Sequence, residues 1–266
     1  MKPRILAYSK SKILLADVKS DSQEVTEETN FKGVLSILDP ISSTESDYLF
    51  SMRLGSFTID VAFSYDIYLF SVIPIKIKSS IAAFNPIFSY LTLTVFNKII
   101  LDVPNREAIP QGYIDTFYSM IPVDPLNKIS KIMNSLLIDS VDYIAFIAQG
   151  HRVVLSLGDA KMPPDEFIVQ WCEALEVVET LTVDNAFLTV PSHNNIIVSH
   201  FFPSLTSVTF FNSPATKDRI ENYFHQIDHV KSQLFDLFKS SDLKPQMPQV
   251  PKQQSSGRRR IQVNKS

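Results

Sequence analysis

Alternating apolar and polar residues recur at regular intervals in the second half of the chain. The segments 178–185 and 205–212 share the pattern aliphatic-x-x-aliphatic-x-apolar-x-Asn and start 27 residues apart. Residues 155–159 show a similar alternation 26 residues before residue 181. Each segment predicts a short β-strand in which every second residue faces inward. Because a unit of this size cannot bury its own apolar face, a period of about 26 residues is typical of stacked β/α solenoids.

Helical spacing fills the intervals between these predicted strands. A helix that begins near Pro163 carries apolar residues, among them Trp171 and Cys172, at the spacing of one buried stripe. A short helix is predicted at 193–202, and a long one after Pro214 covers the open end of the sheet. The predicted fold class is therefore α/β (or α+β), with a leucine-rich-repeat-like β/α solenoid in the second half and a β-rich first half.

Shorter apolar runs, separated by prolines, occupy the first half. They predict strands at GVLSIL, YLFSMRL, SFTIDVAFS, IYLFSVIPIKI and SYLTLTVF, followed by helices at YIDTFYSMI and LNKISKIMNSLL. We divide the chain into a β-rich N-terminal region at 1–110, a β/α repeat-like region with a C-terminal capping helix at 111–240, and a disordered basic tail at 241–266. The pattern leaves open whether the N-terminal region is a separate domain.

The longest uncharged run lies between Lys78 and Lys98 and reaches 19 residues, which is long enough to be considered as a membrane span. Polar residues and Pro86 interrupt it, and residues 90–95 alternate in the period of a half-buried strand. We therefore predict no membrane span.

Charge is distributed unevenly along the chain, whose net charge is −3. The tail at 241–266 is strongly basic and includes Arg258, Arg259 and Arg260, so the preceding body is acidic. An acidic body argues against nucleic-acid binding except through the basic tail. The single cysteine, Cys172, excludes an internal disulfide, and we predict a cytoplasmic or nuclear protein in a reducing compartment.

No motif for catalysis or cofactor binding is present. The glycines lie too far apart for a phosphate-binding loop, and there is no G-x-S-x-G elbow. His225 and His229 have the i, i+4 spacing of zinc ligands, but no third ligand is identifiable. Cys172 lies beside Glu173 in the middle of its predicted helix, which favours a packed thiol over a reactive one. We expect no catalytic residues, no metal and no cofactor.

Several segments of the second half resemble the F-box-associated C-terminal regions of nematode F-box proteins. They are Gln170 with Trp171, residues 178–183, Phe201 with Phe202, and residues 205–210. Those regions are similar in their alternating helices and Leu-x-x-Leu-x-Val strands, and they hold substrates for a ubiquitin ligase. The resemblance covers about residues 140–240. The first residues do not show an F-box segment, so the resemblance implies a binding role and nothing chemical.

A second resemblance concerns the segment MRLGSFTIDVAFS in the β-rich first half together with the basic tail. It is to plant-virus movement proteins, which bind single-stranded nucleic acid. The acidic body argues against that function.

We therefore predict a non-enzymatic protein–protein interaction module, with a substrate-recognition or adaptor-like role, whose partner is another protein. The alternatives are a single-stranded nucleic-acid-binding protein and an enzyme of unrecognised type. In a solenoid, the residues between the inward-facing ones are exposed on the strand face and form the binding surface. They are Ser156, Thr180, Thr182, Asp184, Ser207, Thr209 and Phe211. For Phe211 an alternative stays open, in which the ring packs under the last helix.

Overall fold

A computed structural model describes most of the chain between residues 2 and 239. The described residues are 2–19, 31–42, 48–101, 103, 105, 108–148, 152–159, 185–188, 196–203, 205–212, 214 and 216–239. Within them the chain forms two five-stranded antiparallel sheets and six helices.

The first sheet is built from the first five strands, in the order β2-β1-β5-β4-β3. A two-residue turn, Tyr65 and Asp66, joins β4 to β5, and both residues have positive φ. This is the geometry of a type I′ hairpin turn, which matches the twist of the strands it connects. The strands are β1 (Arg4–Ser9), β2 (Leu14–Val18), β3 (Tyr48–Leu54), β4 (Phe57–Ser64) and β5 (Ile67–Pro74).

One face of this sheet is covered by helix α1 (Phe31–Ser42). Its buried residues Phe31, Val34, Leu35 and Leu38 pack against the strand residues of that face. The strand predicted for residues 33–38 is therefore wrong. Because those four residues recur at i, i+3, i+4 and i+7, the segment carries the helical period once Phe31 is included.

The opposite face is covered by helix α3 (Asn85–Ile100), which follows the short helix α2 (Ser79–Ala82). The predicted strand over residues 89–96 is wrong, because α3 is buried on almost all sides and no solvent-facing stripe marks its period. Two of its polar residues are satisfied within the helix: the Thr92 and Thr94 hydroxyls donate hydrogen bonds to carbonyls one turn earlier.

Among the described residues, Ser79–Ile100 is the one stretch that is long and apolar enough to cross a membrane, with a mean hydropathy of 1.3. Most of its apolar surface lies in the core that joins the two sheets. Its composition is therefore that of a core helix of this fold.

Two further helices connect the sheets and agree with the sequence prediction. They are α4 (Gln111–Met120) and α5 (Pro125–Asn134). Phe117 of α4 is buried edge-on against Phe96 of α3, with ring centroids 4.9 Å apart. Proline at the start of α5 suits the first helical turn, where no backbone N–H is needed.

The second sheet repeats the strand order of the first, as β7-β6-β10-β9-β8. The long helix α6 (Lys217–Asp236) follows its last strand, and its existence was predicted correctly. Tyr223, Ile227, Val230 and Leu234 form the buried stripe of α6. The strands are β6 (Val141–Ala148), β7 (Arg152–Gly158), β8 (Asn185–Leu188), β9 (Ile196–Phe202) and β10 (Leu205–Phe211).

The predicted solenoid is wrong. A solenoid stacks successive strands in parallel, whereas every strand pair of the two described sheets is antiparallel. The segments 155–159 and 205–212 lie on β7 and β10, which are separated by β6. Their similar patterns arise because both are strands of one sheet. The helix predicted at 193–202 is also wrong, since most of that segment forms β9.

Helices α3 and α6 join the two sheets in one apolar core. Tyr90 of α3 stacks on Phe202 of β9, with centroids 4.6 Å apart. Phe202 in turn contacts Phe235 of α6 edge-on. The ring centroid of Phe88 on α3 lies 6.1 Å from that of Phe238, which follows α6. This continuous aromatic contact fixes how the two sheets face each other and so shapes the grooves between them.

Candidate functional site

Three residues of the predicted binding face, Ser207, Thr209 and Phe211, are buried on β10. Each is no more than 1% exposed. The expectation of exposure is therefore wrong for these three. Strand β10 is the central strand of its sheet, and the residues of both its faces pack into apolar clusters.

Helix α6 covers the face that carries these residues. The Thr209 hydroxyl and the Tyr223 hydroxyl lie 2.6 Å apart. Phe211 packs edge-on against the Tyr223 ring at 5.5 Å, so the alternative in which Phe211 lies under the last helix is confirmed. Burial raises the pKa of Tyr223, and the hydrogen bond with Thr209 opposes that shift. Ser207 is satisfied across the sheet by Ser199, 3.0 Å away.

Other predicted positions lie outside the described residues. They are Thr180, Thr182 and Asp184 of the predicted face, Trp171 and Cys172 of the predicted helix, and Arg258, Arg259 and Arg260 of the tail. Ser156 is the member of the predicted face that the structure shows exposed, and it lies on β7.

In the described part of the chain, strand β7 forms one edge of the second sheet and is bordered by an open groove of about 500 Å³. Six consecutive residues, 153–158, line this groove. Because successive side chains of a strand point to opposite faces, a run of six can line one groove only along the backbone edge. The groove, which we call the β7 groove, therefore runs beside the edge of the strand.

The opposite wall of the β7 groove comes from helices α2 and α5. Its polar residues are Ser79 and Ser80 of α2 with Ser130 and Asn134 of α5. Phe84 and Ala83 supply an apolar floor. None of the described residues that line the groove is charged. Such a wall presents hydroxyl and amide groups toward β7.

Gly158 ends β7 under a tight steric constraint. Its φ is +102°, and a Cβ at this position would lie 2.0 Å from the backbone oxygen of Asp142. Only glycine lets the two strands approach this closely. The end of the edge strand is thus fixed against β6, which keeps the β7 groove in shape.

A second concavity, of about 370 Å³, lies between α3, the β4–β5 turn and the β9–β10 turn. We call it the α3 pocket. Tyr90 and Leu93 of α3, with Leu101 just after it, form its apolar wall, and Tyr65 and Pro203 stand at its mouth. Tyr65 is 70% exposed and Leu101 is 61% exposed, which is unusual for side chains of this size.

The most polar cluster of the core centres on Asp60 of β4, which is 1% exposed. Its carboxylate accepts hydrogen bonds from the Ser51 hydroxyl and from the Asn85 amide, and the Ser71 hydroxyl donates to Asn85 Oδ1 at 2.6 Å. Ser89 donates to the Asp60 carbonyl at 3.0 Å. These contacts fasten the start of α3 to the sheet. With so little exposure, Asp60 is a structural residue.

The two histidines with zinc-like spacing do not form a metal site with described neighbours. His225 is exposed, and His229 lies 3.0 Å from Gln233 of the same helix. Among the residues that the structure describes, no group of three His, Cys, Asp or Glu side chains could hold a metal ion. Lys231 donates to the His200 carbonyl at 3.0 Å, and partial burial lowers the pKa of this lysine.

Comparison with known proteins identifies no family for this chain. No protein-family model and no curated protein sequence matches it. Two solved structures illustrate the partial likenesses. The gliding protein MglB of Thermus thermophilus is 10% identical and covers 43% of this chain and 91% of its own, with a TM-score of 0.33. A structure of MglB with a tetrameric arrangement is 9% identical and covers 43% of this chain and 93% of its own, with a TM-score of 0.33. At these values the likeness identifies neither fold nor function.

The exposed position of Ser156 on β7 was predictable from the sequence, but the opposite wall of the β7 groove was not. Ser79 and Ser80 belong to a segment predicted to lie between strands, and Ser130 faces the groove from a correctly predicted helix. No sequence signal marks them, because they line the groove only through the position of α2 and α5 beside β7 in the folded chain. The residues of the α3 pocket were missed because α3 was predicted as a strand.

Proposed function

We propose that this protein is a non-enzymatic protein–protein interaction module that binds an extended segment of its partner along β7. The observation that carries the proposal is the β7 groove, in which an edge strand borders an open channel along six consecutive residues. An edge strand presents backbone N–H and C=O groups that pair readily with a further strand. Strand addition of this kind is a common mode of peptide recognition.

The composition of β7 supports this proposal. Proteins commonly protect an exposed edge with lysine, proline or an inward-facing charge. After Arg152 the strand reads VVLSLG, which contains no charged residue and no proline. An edge without these features favours pairing with another strand.

The lining of the β7 groove indicates the chemistry of the partner segment. Because none of the lining residues that the structure describes is charged, we infer an uncharged segment with small polar or aliphatic side chains. Backbone hydrogen bonds to β7 would supply affinity, and side chains reaching Ser79, Ser130 and Asn134 would supply specificity. A substrate-recognition or adaptor-like role fits this mode, and the single cysteine supports a reducing compartment, cytoplasm or nucleus.

The experiment begins with selection of linear peptides from a displayed library against the purified chain. The selected peptide is then titrated into the wild type, Ser156→Arg and Ser119→Arg by isothermal calorimetry. Ser156→Arg places a long charged side chain on β7 beside the groove, and Ser119→Arg makes the same change on exposed α4. We expect Ser156→Arg to weaken binding by about tenfold or more and Ser119→Arg to leave it unchanged.

A second form of the peptide tests the backbone pairing itself. Two peptides, each N-methylated at alternate residues, lose the N–H groups that point to one side or the other. Strand addition predicts that one methylated peptide binds far more weakly than the other. Equal affinities for the two methylated peptides, or equal affinities for the two arginine variants, would contradict the proposal.

A further inference from the structure

The α3 pocket contains a buried polar atom whose hydrogen-bonding capacity is unused. Asn97 of α3 lines the pocket and is 9% exposed. Its Oδ1 is buried and accepts no hydrogen bond from any residue that the structure describes. Buried acceptors are satisfied in the large majority of cases, so an unused one on a residue that lines a pocket calls for a donor supplied from elsewhere.

The helix places the other functional groups of the pocket on the same face as Asn97. Leu93, Thr94, Asn97 and Leu101 follow one another at i, i+1, i+4 and i+8, which brings them to one side of α3. The Thr94 hydroxyl donates to the Tyr90 carbonyl at 3.0 Å, so its proton is already used. The pocket therefore combines apolar walls with acceptor oxygens.

Lys98 provides a positive charge at the rim of the α3 pocket. Lys98 lines the pocket, and its Nζ lies 5.7 Å from the centroid of the Phe235 ring. Lys98 makes no ion pair with any carboxylate in the described part of the chain. Its ammonium group is thus available to an anion at the mouth of the pocket.

We infer that the α3 pocket binds a small aromatic acid that carries an N–H or O–H donor. The ring would lie against Leu93, Leu101 and the exposed Tyr65, and the donor would reach Asn97 Oδ1. The carboxylate would pair with Lys98 at the rim. A pocket of about 370 Å³ lies in the range of small-ligand sites, which combine mostly apolar walls with a few placed polar groups.

Three probes separate these contributions in the wild-type protein. Indole-3-acetate carries the ring, the N–H donor and the carboxylate; 1-methylindole-3-acetate lacks the donor; and tryptamine carries the opposite charge. Binding is measured by ligand-observed NMR and isothermal calorimetry. We expect indole-3-acetate to bind, the methylated acid to bind about tenfold more weakly, and tryptamine to bind more weakly than either acid.

Variants then assign the contacts. Asn97→Leu removes the acceptor and should weaken indole-3-acetate about tenfold, while leaving the affinity for the methylated acid nearly unchanged. Lys98→Gln should weaken both acids. Asn222→Leu makes the same change as Asn97→Leu on an exposed site of α6 and should leave all affinities unchanged.

Three results would overturn the inference. They are the absence of indole-3-acetate binding, equal affinities for the two acids in the wild type, and equal losses in Asn97→Leu and Asn222→Leu. The comparison of the two acids requires no substitution, so it holds even where a variant folds poorly. Because the β7 groove is lined by none of these residues, failure here leaves the proposed strand addition unaffected.

Discussion

The hydroxyl pair of Tyr223 and Thr209 gives a quantitative test of how α6 packs on the second sheet. The two oxygens lie 2.6 Å apart, and both residues are fully buried. Tyr223→Phe removes one oxygen and leaves the Thr209 hydroxyl buried without this partner. Loss of a buried hydrogen bond with one partner left behind costs about 1 to 3 kcal/mol.

Replacing both partners should recover most of the lost stability. In the double variant Tyr223→Phe/Thr209→Val two apolar groups of similar shape face each other, which is nearly neutral compared with a satisfied pair. We therefore expect a coupling free energy of about 1 to 2 kcal/mol in the double-mutant cycle. For a chain of this size, 1 kcal/mol corresponds to a shift of about 2 to 4 °C in the midpoint of thermal unfolding.

The pair also predicts a pH dependence. Burial raises the pKa of Tyr223 above its ordinary value of 10.0, so the folded state favours the neutral phenol. The stabilisation is fully present below pH 10 and is lost as pH rises from there toward the folded-state pKa. Wild type should therefore lose more stability than Tyr223→Phe between pH 9 and about 11.

The assay is urea unfolding followed by circular dichroism, at pH 7 and at a series of alkaline values. The free energy of unfolding is compared for the wild type, both single variants and the double variant. Tyr223→Phe as stable as wild type, together with additive effects in the cycle, would refute the buried pair.

Three further predictions concern the first sheet and the edge strand. Asn85→Ala leaves the buried Asp60 carboxylate without one hydrogen-bond donor, so it should lower the free energy of unfolding in urea by about 3 kcal/mol or more. A decrease below about 1 kcal/mol would contradict the role of this cluster in attaching α3 to the sheet. Gly158→Ala should destabilise the fold by about 2 kcal/mol or more, because its Cβ meets the backbone of β6. Gly55→Ala is the control: its Cβ has nothing within 4 Å, so it should cost about 1 kcal/mol. Equal losses of stability in the two variants would argue against the close approach of β7 and β6. Tyr65→Asn should raise stability by about 1 kcal/mol, because Tyr65 has a φ of +51° that asparagine tolerates better, and an unchanged or lowered midpoint would contradict this reasoning.

Two kinds of element were predictable from the sequence: runs of strand-forming residues bounded by turn residues or prolines, and helices with one solvent-facing side. β3 and β4 were located correctly, and the predicted strand at 67–77 contains β5. Helix α6 carries a buried stripe and an exposed face, so its period of 3.6 is visible. Helix α3 was predicted wrongly for the opposite reason. It packs on both sheets and is apolar nearly all round, so its few polar residues created an apparent alternation.

The error in architecture has a related cause. Alternation with a period of two identifies strands, but it does not report which strands pair or in which direction. Similar patterns at 155–159 and 205–212 were consistent with parallel stacking, although β7 and β10 both pair with β6 in antiparallel fashion. Pairing is decided by contacts between distant residues, which a local pattern does not contain.

In the candidate site, too, some positions were predicted correctly from the sequence and others were not. Ser156 was predicted to be exposed on a strand, and it is. Ser207 and Thr209 share that strand alternation, yet α6 covers their face of the sheet. Exposure along a strand is therefore set by what packs over the sheet, and local sequence alone does not determine it.

Hydrogen exchange of the β7 backbone amides reports directly on whether a partner segment pairs with this strand. The selected peptide is added to the full chain, and exchange over residues 152–158 is followed by mass spectrometry with and without it. Strand addition predicts slower exchange in β7 on peptide binding, with no such change in Ser156→Arg. Peptide binding that leaves β7 exchange unchanged, or that slows exchange only elsewhere in the chain, would contradict the account.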